Sequence, residues 1–297
     1  MKTNYVYKMM TRRDLLKKAA AFGLLSGMSI LEGFTQPSNR LHIGACDWSL
    51  GKSSDPAAFE IAKEIGLEGI MVNLASAGNN LRLRDKNLQQ LYLEESTRTN
   101  IKIASVAIGE LNGTPYKSDP RTEEWVSDSI DVAKNFGVTV VLLAFFEKGD
   151  LRNDEAGKKE VVRRLKKVAP KAEKMGITLG IESYLSAEEL TDMIQQVGSK
   201  SIKVYYDFRN SADAGYDVIK EIKFLGKEAI CELHIKENGQ LLGEGTLDWK
   251  RIAATLNDMG YYGDGWMQIE WANPKDANVV ESYKKNVKFL NDTFGYS

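Results

Sequence analysis

Residues 158–183 read KKEVVRRLKKVAPKAEKMGITLGIES. Up to Met175 the apolar residues recur at helical spacing, Gly176 interrupts the pattern, and a β-branched run follows that ends in the acidic Glu182. A helix, a glycine and a short buried strand in that order make one βα repeat. Pro170 falls inside the helical part, where its missing N–H predicts a kink or a break.

The same unit recurs from Leu41 to the end of the chain. Its apolar runs are LHIGACD (41–47), GIMVNL (69–74), IKIASVAI (101–108), VTVVLLAFF (138–146), ITLGIES (177–183), IKVYYDF (202–208), AICELHI (229–235) and WMQIEW (266–271). Segments such as DPAAFEIAKEIG and TEEWVSDSIDVAKNFG separate them with helical spacing. Strands alternating with helices predict βαβ units and a parallel sheet. Eight units in one stretch fit a closed (β/α)8 barrel better than a doubly wound sheet, and no Gly-x-Gly-x-x-Gly follows the first run. The expectation is an export signal and linker over 1–40 and one α/β domain over 41–297.

Charge separates the same two regions. Residues 1–40 hold seven Lys or Arg against two acids, which leaves 33 basic and 39 acidic residues in the remainder. An acidic body offers no basic face for nucleic acid. In TRRDLLKKAAAFGLLSGMSIL, Arg12 and Arg13 precede a short stretch rich in Ala, Gly and Ser, with Leu15, Leu16 and Lys17 completing a pattern that resembles a twin-arginine export signal. The stretch falls short of the roughly 20 apolar residues of a membrane span. Export to the periplasm is therefore expected, with membrane contact only through an uncleaved signal. An oxidising compartment permits a disulfide, but parity turns Cys231 away from the barrel axis, so Cys46 and Cys231 are expected as free thiols.

Barrel enzymes of this type work at the C-terminal ends of their strands. The last four ends carry Glu182, Asp207, His234 and Glu270, on neighbouring strands. Each alone reads as a cap, a loop residue or a satisfied core group. Together they suit a divalent metal with mixed oxygen and nitrogen preference, because opposed carboxylates need a cation between them. Mn2+, Co2+, Mg2+ and Zn2+ all fit.

The segments GIESYLS, YYDFRN, LHIKENGQLLGEGTLDW and MQIEW resemble the xylose isomerase-like TIM-barrel superfamily of sugar isomerases and epimerases, over about residues 41–295. The most specific part is His234-x-Lys236-Glu237 followed by Gly243-Glu244-Gly245 and Asp248-Trp249. The resemblance implies that Glu182, Asp207, His234 and Glu270 bind one metal and that Glu182 and Glu270 are the acid–base pair. Proton abstraction beside a carbonyl, with return to the opposite face or the neighbouring carbon, would give epimerisation or isomerisation.

Around that set, Asn210, Lys236, Trp48, Trp271 and Glu147 are the expected substrate contacts, with Phe146 as a further apolar platform. Lys236 is expected to reach substrate oxygens or to pair with Glu237. Glu232, two residues before His234, is placed to accept its second N–H, and Glu237 flanks the same site. His42, early in its run, reads as structural. Asn210 stands where many relatives carry histidine and Gln240 where an arginine is common, which argues for an unphosphorylated sugar or keto-sugar. A 3-keto-glycoside lyase or hydratase would use the same groups. A noncatalytic carbohydrate-binding barrel is a further reading, whereas a multi-zinc nuclease needs more than two histidines. A homo-oligomer is compatible with all of these.

Overall fold

A computed structural model describes residues 40–263 and 265–295, all within one compact unit. Each apolar run forms a strand: β1 (His42–Cys46), β2 (Gly69–Asn73), β3 (Lys102–Ile108), β4 (Val140–Phe145), β5 (Thr178–Ser183), β6 (Ile202–Asp207), β7 (Ile230–Ile235) and β8 (Trp266–Ile269). All pairings are parallel, and β8 returns to β1 with Gly44 beside Gln268. The sheet is thus a closed barrel in chain order, the single (β/α)8 TIM barrel expected from the repeats. The export signal read at residues 1–40 lies outside the described residues, apart from Arg40. No helix among the described residues is long and apolar enough to cross a membrane.

The helices are α1 (Ala58–Ile65), α2 (Lys86–Thr99), α3 (Arg121–Phe136), α4 (Glu155–Met175), α5 (Ala187–Val197), α6 (Phe208–Asp213), α7 (Val218–Ala229), α8 (Trp249–Asp258) and α9 (Val279–Phe294). Their ends carry the expected chemistry. Ser186 and Glu189 form a reciprocal capping box on α5, and Asp248 caps α8 by accepting from Arg251 N. Gly137 and Gly176 close α3 and α4 in the left-handed region, just before the next strand.

Of the kink or break expected at Pro170, the break does not occur, since α4 runs through it to Met175. An interior proline costs about 3 kcal/mol, but Val161, Leu165, Val168, Ala169 and Ala172 on one face of α4 are buried. Each large apolar side chain contributes about 1.5–3 kcal/mol when buried, so packing outweighs the lost hydrogen bond.

The main core lies between barrel and helices, and a smaller cluster of Cys46, Met71, Ala107, Leu142, Ala144 and Tyr205 fills the barrel interior. Cys231 packs against this inner cluster, which corrects the parity expectation. The register between β6 and β7 slips there: Val204 lies opposite Ile230 and Tyr205 opposite Glu232, leaving Cys231 as an extra residue. Both cysteines are free thiols.

Candidate active site

Glu182, Asp207, His234 and Glu270 converge where β5 to β8 end, and all four are buried. One ligand-capable atom from each lies within 4.8 Å of every other. His234 Nδ1 is the hub, 2.9 Å from Glu182 Oε1, 3.6 Å from Glu270 Oε2 and 3.8 Å from Asp207 Oδ2. Asp207 also caps α6, with Oδ1 accepting from Asn210 N at 2.8 Å, which fixes the carboxylate and leaves Oδ2 facing the cluster. Three carboxylates and an imidazole turned toward one point, with an Asp207 oxygen lacking a hydrogen-bond partner, suit a divalent cation.

Lys236 reaches the same point. Its Nζ donates to Glu270 Oε2 at 2.9 Å and lies 3.0 Å from Asp207 Oδ2, a close ion pair without hydrogen-bond alignment. Pairing with Glu237 does not occur. The flexible four-carbon stem carries the ammonium inward across two strand ends instead.

The two candidate acid–base groups sit in unlike surroundings. Burial pushes Glu182 above the ordinary carboxylate range, with His234 offsetting only part of it. For Glu270 burial acts in the same sense but Lys236 and His234 outweigh it, and the carboxyl falls to about 2. Burial alone would keep His234 neutral, yet the charges of Glu182 and Glu270 raise it to about 9. Glu182 also accepts from Asn210 Nδ2 at 3.1 Å and Glu270 from Trp48 Nε1 at 2.9 Å. Asn210, Trp48 and Lys236 thus lie against the carboxylates of the cluster, while Gln240 is exposed.

Behind His234 the arrangement differs from expectation. Its Nε2 faces Cys46 Sγ at 3.3 Å, not Glu232. Glu232 is buried below and accepts from Ser105 Oγ of β3 at 2.7 Å. Burial holds this carboxyl up to about 7, an effect that the Ser105 bond moderates. The sequence reading missed Cys46 and Ser105. In the closed barrel β3 lies across the interior from β7 and β1 lies two strands away from it, so inward parity at the end of β1 was the available signal for Cys46.

Glu237 stands apart from the cluster. Its Oε1 accepts from Trp249 Nε1 at 2.6 Å, and Arg209 lies 4.0 Å from Oε2. A Cβ on Gly245 would lie 1.9 Å from Glu237 Oε2, and one on Gly243, at φ 83°, would lie 2.3 Å from Phe289. Both glycines are there because backbone must pass closely over other side chains. The strand-seven signature therefore divides: His234 and Lys236 enter the site, while Glu237, Gly243, Gly245 and Trp249 pin the loop that leaves it.

Above the cluster opens a cavity of about 450 Å³, lined in part by Trp48, Phe146, Glu182, Asn210, Glu270 and Trp271. Glu147 also lines it. Trp271 is about half exposed at its rim and holds φ 47°, fixed by Trp271 N donating to Ser49 Oγ at 3.2 Å. His42 pairs instead with Glu68 at 2.6 Å, at the opposite end of β1.

Comparison with known proteins adds the following. A D-psicose 3-epimerase of Enterocloster bolteae is 27% identical over 128 residues, 40% of this chain and 42% of the relative, so the match spans less than half of that protein. A protein of Escherichia coli K12, provisionally named L-ribulose-5-phosphate 3-epimerase, is 23% identical over 264 residues, 80% of this chain and 92% of that one. The solved 3-keto-D-glucoside 4-epimerase of E. coli superposes with a TM-score of 0.69 at 14% identity, covering 85% of this chain and all of that one, a likeness of fold. The family described as xylose isomerase-like TIM barrel matches residues 59–293, and the chain belongs to it.

Proposed function

We propose that the protein is a metal-dependent epimerase or isomerase of an unphosphorylated sugar or keto-sugar. The observation that carries the reading is the buried cluster of Glu182, Asp207, His234 and Glu270, with both glutamates lining an open cavity. The epimerases among the similar proteins support the same reaction class. A divalent ion held by these four residues would polarise a substrate carbonyl and its neighbouring hydroxyl, which makes the adjacent C–H acidic.

The chain's own groups then divide the work. One of Glu182 and Glu270 takes the proton from the carbon beside the carbonyl. The other returns a proton to the opposite face, which inverts that centre, while return to the neighbouring carbon gives the isomer. Asn210 and Trp48 fix the two carboxylates, and Trp48, Phe146 and Trp271 supply apolar faces for the sugar ring. Lys236 is the one cation lining this cavity among the described residues, and it is already engaged by Asp207 and Glu270. That leaves no free cation for a phosphate and favours a neutral sugar.

The test is elemental analysis of purified wild type and His234→Ala, beside NMR of D-fructose incubated with each in D2O. About one divalent ion per chain, lost with His234, together with deuterium entering the sugar carbon skeleton, is the expected result. A wild type that takes up no metal after reconstitution overturns it and leaves sugar binding without chemistry. We further propose, from the paired arginines and the stretch behind them, that the chain is exported. Replacing Arg12 and Arg13 by Lys should retain it in the cytoplasm on fractionation, and unchanged periplasmic recovery would refute export by that route.

A further inference from the structure

The cavity over the carboxylates has a neighbour. Asn73, Gly109, Asn112 and Glu147 line both it and a second cavity of about 490 Å³, bounded by the loops that follow β1 to β4. Each alone falls in the range of small-ligand sites, about 300–1,000 Å³. A single sugar ring held against Glu182 and Glu270 would occupy the first and leave the second unused.

The second cavity has the lining of a carbohydrate site. Ser53, Ser76, Asn79, Arg82 and Glu110 give it donors and acceptors. Its charged lining is one guanidinium against the carboxylates of Glu110 and Glu147, an excess of negative charge that disfavours phosphate and suits neutral hydroxyls. Arg82 is already oriented, since it donates to the Ser54 carbonyl.

The junction between the two cavities holds uncommitted groups. Asn112 uses Oδ1 to accept from Phe146 N at 2.9 Å, and among the described residues its Nδ2 has no partner. The Glu147 carboxylate has neither hydrogen bond nor ion pair among the described residues, although its backbone is held at φ 50°. A non-glycine residue there costs of order 1 kcal/mol, and such strain clusters where ligands are gripped.

We propose that the second cavity is a subsite for a second saccharide unit, so that the substrate is a keto-disaccharide or glycoside whose reacting ring lies against Glu182 and Glu270 and whose other ring lies beside Arg82 and Asn79. This names the substrate class for the reaction proposed above and rests on that reading for which ring reacts. Glu147 and Asn112 meet the bridge between the rings. A free ketose would gain nothing from the second cavity.

The test uses the full chain loaded with Mn2+, with D-fructose and three disaccharides that carry a glucosyl ring on different hydroxyls of the same ketose: maltulose, turanose and isomaltulose. Binding is followed by NMR titration. At least one disaccharide should bind about tenfold more tightly than D-fructose, a difference of about 1.4 kcal/mol. Gly113→Phe and Ser76→Trp then fill the second cavity from two walls. Gly113 has ordinary helical angles, φ −86° and ψ −35°, and its nearest neighbour to an added Cβ is 3.7 Å away, so the larger residue can be accommodated. Both variants should lose the disaccharide gain and bind D-fructose as the wild type does.

The proposal is overturned if no disaccharide binds better than D-fructose, or if the gain survives in both variants. Deuterium exchange in the same samples separates this from the catalytic reading. Exchange into D-fructose without a disaccharide gain removes the subsite and keeps the enzyme. A disaccharide gain with no exchange into any sugar keeps the subsite and removes the proposed chemistry.

Discussion

Strands β5 to β8 end in Glu182, Asp207, His234 and Glu270, buried and in contact through one imidazole nitrogen. The ends of β1 to β4 are followed or closed by Trp48, Asn73, Asn112 and Glu147, side chains that are aromatic, amide or solvent-exposed and that line cavities without forming a cluster. One half of the mouth concentrates charge out of water, and the other surrounds open space with hydrogen-bonding groups. The barrel treats both halves alike, so the difference lies wholly in the residues placed at equivalent ends. On the function and subsite proposed above, it would separate reaction from recognition on a symmetrical frame.

Glu182→Gln and Glu270→Gln break the comparison at its strongest point. Each should lower deuterium exchange and turnover by about 10²–10⁴-fold, the usual worth of a positioned acid or base, while part of the metal remains bound. Turnover near the wild-type rate in either variant would remove that residue from the proton-transfer role. The loss should exceed anything produced by substitutions among Asn73, Asn112 and Glu147.

Asp47 sharpens the contrast with a smaller effect. It is a buried carboxyl in the quiet half, where it accepts from Ser54 N at 2.9 Å and Asn73 N at 3.0 Å, and burial outweighs these bonds to push it up to about 7. A raised carboxyl favours the folded state while protonated, so its contribution is complete below the unfolded value near pH 4 and is lost as pH rises through about 7. Wild-type stability should therefore fall by about 1–3 kcal/mol relative to Asp47→Asn between pH 4 and 8, with sugar chemistry unaffected. Parallel denaturation curves for the two proteins over that range would show that Asp47 is charged throughout.

Periodicity made the barrel legible, because every strand is a short apolar run bounded by turn residues and each helix shows its buried face. The four clustered residues were legible for a related reason: each stands at the end of a recognisable run. What stayed hidden depends on contacts between distant strands. The Cys46–His234 contact spans 188 residues and Ser105–Glu232 spans 127, and no local pattern announces either. The course of Lys236 was open because its long stem could follow several paths. Asn73 and Asn112 gave no signal, since an amide at a loop start is ordinary turn chemistry. At Pro170 the break was the wrong half of the reading, because local helix preference was weighed without the packing that overrides it.

The hydrogen bond from Trp48 to Glu270 joins residues 222 apart, across the seam where β1 meets β8. During synthesis the tryptophan leaves the ribosome among the earliest parts of the barrel and its partner among the last. Contacts of such long range form late, after the cost of closing the intervening loop has been met. The two ends of the domain thus complete the mouth together, and a nascent chain stopped before Trp266 would lack both the closing strand and the glutamate that Trp48 holds.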